Sequence, residues 1–310
     1  MKRIISLVLI SVLIYTSHNL TFADDLKEST ALKYDEAFKF ITDAYDYSSY
    51  SLHLFGYICD PVASENSVNR ETFCLGLTHL LNIRKSPEER NNSFDKVFKD
   101  VDESDFFINS IISDIYNYDK EIIKGYPDGT FRREEEMRFE EAVTMMVRAL
   151  GYEKEMESKV YPMDYIEKAS EVGILDNIDS EIGKPLSYGV ASQIFLNSLT
   201  VEIKSGKSDD EDSETLLQRH NISIYKDMTF ASLHEDSGIV KFKDDKGNIE
   251  IFKYHDGFTF ENLKEKKVSL WVDLGVNSRD LLIKEIGAAE MDDCIIRIID
   301  DTTNSESDPH

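Results

Sequence analysis

Between about 32 and 203, apolar residues return at spacings of three and four, as at Ala37, Phe40, Ile41, Ala44 and Tyr45. That is the period of a helix turning one face to a core. The stretch 205–213 reads Ser-Gly-Lys-Ser-Asp-Asp-Glu-Asp-Ser and has nothing to bury, so 205–214 is expected to be an acidic linker. Beyond it the period shortens: 239–242, 249–254, 268–273, 281–286 and 295–299 are short β-rich runs. Asp244-Asp245-Lys246-Gly247-Asn248 supplies a hairpin turn between the first two, with a glycine free to take positive φ. Residues 215–302 are therefore expected to form a small all-β domain, an antiparallel sheet or barrel of about five to seven strands.

The helical part repeats itself. Val68-Asn69-Arg70-Glu71-Thr72-Phe73 aligns with Met137-Arg138-Phe139-Glu140-Glu141-Ala142 and with Leu186-Ser187-Tyr188-Gly189-Val190-Ala191. The same register places Leu77, Met146 and Phe195, then Leu81, Leu150 and Leu199, on one helical face. Upstream of each helix lies a second shared mark: Gly56-Tyr57-Ile58, Glu121-Ile122-Ile123 and Gly173-Ile174-Leu175. Each unit is thus a helix, a loop of varying length and a second helix. The units cover about 35–83, 98–152 and 161–201 within a helical region of 32–204. Three such hairpins can bury apolar stripes against one another that one alone could not. Asn69 and Ser187 are good N-caps for the second helices, whereas Arg138 stands there in repeat two, where the cap is expected to be weaker or supplied from elsewhere.

Composition narrows the setting. Met1-Lys2-Arg3, an apolar run over 4–15 and the ending Thr21-Phe22-Ala23 have the three parts of a secretory signal peptide, expected to be cleaved after Ala23. The apolar run covers only about 18 Å, against roughly 30 Å of bilayer hydrocarbon, so a secreted chain with no membrane contact after cleavage is expected. The first cysteine is Cys59, which argues against a lipid anchor near the cleavage point. With 35 Lys+Arg against 60 Asp+Glu, the net charge of −25 opposes nucleic acid and general adhesion to an anionic wall. Any attachment has to be local and specific. Cys59, Cys74 and Cys294 do not make a disulfide scaffold; a Cys59–Cys74 bridge and a buried free Cys74 thiol both stay open.

Phe98-Lys99-Asp100-Val101, then Ile122-Ile123-Lys124-Gly125-Tyr126-Pro127-Asp128-Gly129-Thr130-Phe131, then Glu141-Ala142-Val143 through Ala149-Leu150-Gly151-Tyr152, closely resemble an S-layer homology (SLH) repeat. The first and third repeats align to this middle one, and the resemblance leaves the β-rich part uncovered. It implies a cell-wall and S-layer protein of a Gram-positive, Clostridia-like bacterium. The implied fold is multidomain, an all-α pseudo-trimer of three helical hairpins ahead of the β domain. In the family, grooves between repeats bind secondary cell-wall polysaccharide, often pyruvylated. The key cation there is the Arg of a Thr-Arg-Ala-Glu motif. Here Arg70 matches it, while Phe139 and Tyr188 stand at its place in the other repeats. Arg138 falls one residue early, about 100° around the helix. Carried over by motif, the glycan-binding residues are Arg70 on the sugar, with Lys124, Gly125 and Asp128 shaping the groove.

Two other classes remain beside this non-catalytic anchor. A wall-anchored enzyme would need its catalyst in the β domain, which offers neither a nucleophile elbow nor a His-Glu-x-x-His motif. No cofactor or metal is expected: His234 and His255 could meet but lack a third ligand. Asp100-Val101-Asp102-Glu103-Ser104-Asp105 lacks the glycine and terminal Glu of a calcium loop and reads better as an acidic helix start. The second class is an assembly protein whose altered repeats bind an envelope protein partner.

Overall fold

The computed structural model describes residues 64–83, 97–204, 214–235, 238–254, 260–274 and 294–300. The expected signal segment, the expected first helix of the first repeat, Cys59, His255, residues 205–213 and the run 281–286 lie outside them. Six helices are present among the described residues: α1 (Arg70–Leu80), α2 (Phe106–Asp119), α3 (Phe139–Ala149), α4 (Met163–Glu171), α5 (Tyr188–Ser198) and the short α6 (Leu216–Arg219).

α1, α3 and α5 are the second helices of the three repeats, and each starts by its own chemistry. Asn69 accepts from Thr72 N–H at 2.8 Å and Ser187 from Val190 N–H at 3.2 Å. At α3 the Glu141 carboxylate reaches back to accept Arg138 N–H at 3.1 Å, the reciprocal half of a capping box. Their apolar faces fill one buried cluster, with Phe73 stacked on Phe195 at 5.1 Å. The closest helix packing runs between repeats: α2 lies on α1 and α4 on α3.

The three helix starts are tied into a ring. Val68 N–H donates to Leu186 O at 2.8 Å, Leu186 N–H to Met137 O at 2.7 Å, and Met137 N–H to Val68 O at 2.8 Å. A second ring of the opposite sense joins Arg70 N–H to Glu135 O, Phe139 N–H to Lys184 O and Tyr188 N–H to Asn66 O, through 3.0, 3.0 and 2.9 Å bonds. Backbone groups at the three helix starts thus satisfy one another.

The chain then forms a closed barrel in the order β1-β2-β3-β5-β4. The strands are β1 (Ile222–His234), β2 (Ile239–Lys243), β3 (Ile249–Tyr254), β4 (Lys267–Asp273) and β5 (Cys294–Asp300). β3 and β5 pair in parallel, so the sheet is not the purely antiparallel one the alternation suggests. Bulges at 225/228 and 230/232 let the thirteen-residue β1 bend from β4 to β2. Met228, Val240, Phe242, Phe252, Val268, Leu270 and Val272 fill the interior.

The junction differs from a spacer between independent domains. Ile203 N–H donates to Glu214 O at 2.8 Å, so the two sides of 205–213 meet. Leu216, Leu217, Ile222 and Trp271 are buried in the helical cluster itself. The C-terminal ends of all three repeat helices are met here: Lys204 N–H bonds Leu150 O at 2.7 Å and Leu217 N–H bonds Leu199 O at 3.0 Å. His220 Nε2 lies 2.9 Å from Leu80 O. The barrel therefore sits at the pole opposite the ring of helix starts, about 16 Å away along eleven-residue helices.

Candidate functional site

Arg70 opens α1 at the ring of helix starts, where the second repeat comes closest to the first. Its side chain points inward and is only 7% exposed. Nη1 lies 3.4 Å from Glu141 Oε1 and 3.9 Å from Met137 Sδ, both from the second repeat. The guanidinium carbon is 5.0 Å from the centre of the Tyr126 ring and 5.5 Å from that of Phe131. A buried cation is stable only with a countercharge or aromatic faces, and this one has both. Its Nε is buried with no acceptor among the described residues. The cation expected at the sugar is thus engaged by a carboxylate and two aromatic faces of the second repeat.

Glu141 is the hub. It accepts the Tyr126 hydroxyl at 2.6 Å and Arg138 N–H, and it faces Arg70. Burial first, then the bond to Glu141, pushes the Tyr126 phenol up to about 12, so it remains a donor. Spacing alone did not single out Glu141, although its signal was present: it stands at the acidic fourth place of the motif, in the repeat that lacks the arginine. The cation and the acid of one motif are split between two neighbouring repeats.

The turn before this site is set by Gly125 and Asp128. Gly125 has φ +65, and a Cβ there would overlap Phe98 Cε1 and come within 2.7 Å of Thr130 O. Asp128 accepts from Thr130 N–H at 3.0 Å, Thr130 Oγ1 at 2.6 Å and Arg132 Nη2 at 2.9 Å. Those bonds hold its carboxyl down at about 2. Arg132 also lies over Tyr126 at 4.1 Å. Lys124 belongs to a neighbouring cluster, 3.1 Å from Glu121 and 3.6 Å from Glu153. Burial alone would raise Glu153, but the Tyr165 hydroxyl, Arg148 and Lys124 outweigh it and hold the carboxyl below its usual range. Of the four motif residues, only Arg70 is in the Glu141 constellation; Gly125 and Asp128 build the turn beside it, and Lys124 pairs with Glu121 and Glu153.

The equivalent positions elsewhere carry different chemistry. Between repeats two and three the pair is Phe139 and Val190, both buried. Between three and one, the Tyr188 hydroxyl bonds Thr72. Arg138 donates Nη1–H to Gly183 O at 2.8 Å, and the buried Glu140 accepts Gly183 N–H at 2.7 Å. Among the acids considered for calcium, Asp100 accepts from Phe131 and Arg132 N–H, and Asp105 caps α2 and pairs with Arg133. Cys74 is a free, buried thiol, pushed up to about 12 by burial.

No family model matches the chain. It is 25% identical to the surface layer protein of Brevibacillus choshinensis, over 96% of this chain and 28% of that one. It is 28% identical to the middle cell wall protein of Brevibacillus brevis, over 74% of this chain and 22% of that one. The chain thus spans less than a third of the length of the curated relatives it matches. No helix among the described residues is long and apolar enough to cross a membrane. The similarity to surface-layer and cell-wall proteins locates this chain at the bacterial cell wall and surface.

Proposed function

We propose that this protein is a non-catalytic cell-envelope component held to the wall by its helical region. In this reading the region is a prism of three S-layer homology repeats, and the groove between the first two binds secondary cell-wall polysaccharide. The observation that carries it is the Arg70–Glu141–Tyr126 constellation, assembled from two repeats at the pole away from the barrel. Arg70 holds the two repeats in register, Gly125 and Asp128 set the turn beside the groove, and Lys124 lines its rim. The names of the relatives support a wall-associated role without catalysis. A protein partner is the second reading, favoured by the other two interfaces being filled with Phe139 and Val190 or Tyr188 and Thr72.

The mature chain should sediment with purified sacculi that retain their polysaccharide and stay in the supernatant once that polymer is stripped. Equal retention on both preparations overturns the glycan reading and moves the assignment to a peptidoglycan or protein partner.

A further inference from the structure

An α-helix leaves its last carbonyls without donors of its own. At the barrel pole one such carbonyl from each repeat is met by the chain that follows the third repeat. Lys204 N–H donates to Leu150 O at 2.7 Å, Leu217 N–H to Leu199 O at 3.0 Å, and His220 Nε2 lies 2.9 Å from Leu80 O. α6 also holds side chains of the first two repeats: Asn82 Nδ2 donates to Arg219 O at 3.1 Å, and Arg219 Nη1 to the Tyr118 hydroxyl at 2.8 Å. Three strands of the barrel then cover the apolar end of the helices. Ile222 of β1 and Trp271 of β4 are buried in the helical cluster, and Ile224 of β1 and Ile299 of β5 pack against it. Arg297 lies over the Trp271 ring at 4.8 Å, and Leu274 N–H donates to Asn221 O at 3.1 Å, which fixes β4 to the chain leaving α6. Domains on a tether meet through smaller, more polar surfaces and move against each other. The similarity to the Brevibacillus choshinensis protein covers 96% of this chain, so it runs through the barrel as well as the repeats.

We infer that the barrel is the end cap of the repeat array, and that the helical region is folded, and held to the wall, only with the barrel docked on it. Stacked repeats bury a continuous core, and the last face of that core needs a cover whose own outer side is solvated. The barrel provides one, with an apolar core of its own behind Trp271. It acts on the groove through the fold and touches no ligand. The part of the inference that concerns retention rests on the wall-glycan reading above; the capping does not.

The test uses the full mature chain with a site-specific protease sequence placed within 205–213, folded first and cut afterwards. The two halves should elute as one particle with unchanged far-UV ellipticity and Trp271 emission. Their retention on polysaccharide-bearing sacculi should stay within about twofold of the uncut chain, because buried apolar surface rather than the covalent link holds them together. In the uncut chain Trp271→Ala, a substitution in the barrel alone, should lower the thermal midpoint of the helical signal by about 5 °C or more. Halves that separate while the helical one keeps its ellipticity and its retention overturn the inference, as does a helical midpoint unmoved by Trp271→Ala. If the halves stay together but bind stripped and polysaccharide-bearing sacculi equally, the glycan reading falls and the cap stands.

Discussion

At the scale of single residues, the groove depends on a buried ion pair that tolerates removal of both charges better than of one. Arg70→Leu leaves Glu141, itself largely buried, without its cation, and should cost about 3 kcal/mol in urea unfolding. Adding Glu141→Gln, which keeps an acceptor for the Tyr126 hydroxyl, should recover most of that loss. If the double variant is no better than the single, the ion pair is not what Arg70 contributes. Gly125→Ala forces a left-handed φ on a residue with no space for a Cβ, and should cost about 2 kcal/mol or more. Asp128 gives a pH signature. Its folded pKa of about 2 lies below the unfolded value of about 3.9, so its stabilisation is complete above the unfolded value and is lost as pH falls through 2. A carbon-detected titration of its carboxyl should show a midpoint near 2, whereas one near 4 would mean that the turn bonds do not persist in solution.

At the scale of elements, the three equivalent helices show how one sequence register tolerates different caps. Asn69 and Ser187 act through their own side chains, while α3 borrows Glu141. Asn69→Ala should therefore cost about 1 kcal/mol, with Asn69→Gly or Asn69→Ser closer to neutral, measured by thermal unfolding. Arg138→Ala should cost less at the cap, since its backbone N–H and the Glu141 carboxylate both survive; what it removes is the bond to Gly183 O. The barrel shows the opposite dependence. Four of its strands match runs legible from alternation, but β1 was not among those runs, and the parallel β3–β5 pair and the bend of β1 follow from closing the sheet, which local pattern does not encode.

At the scale of the molecule, the helical region and the barrel are joined through a common core. Trp271 is the single tryptophan, sits on β4, and is buried in the helical cluster. Its fluorescence reports barrel and junction, and ellipticity at 222 nm reports the helices. The two signals should give coincident unfolding curves; separated midpoints would show that the two parts fold independently. Leu217→Ala, which empties a buried position on the segment closing the helix ends, should lower both midpoints together and cost about 2–5 kcal/mol.

The sequence by itself determined the second helices of the repeats, the strands β2 to β5 and the residues of the Gly-Tyr-Pro-Asp turn, though not the long strand β1. These depend on spacings of a few residues and on backbone preferences that act locally. Only the tertiary structure decided what Arg70 does. Its partners Tyr126, Phe131, Met137 and Glu141 come from another repeat and were brought to it by the ring of helix starts, so its burial and charge balance could not be read from its own motif. The same holds for the junction: 205–213 is polar and looks like a spacer, yet hydrophobic burial of Leu216, Leu217, Ile222 and Trp271 joins the parts it separates in sequence.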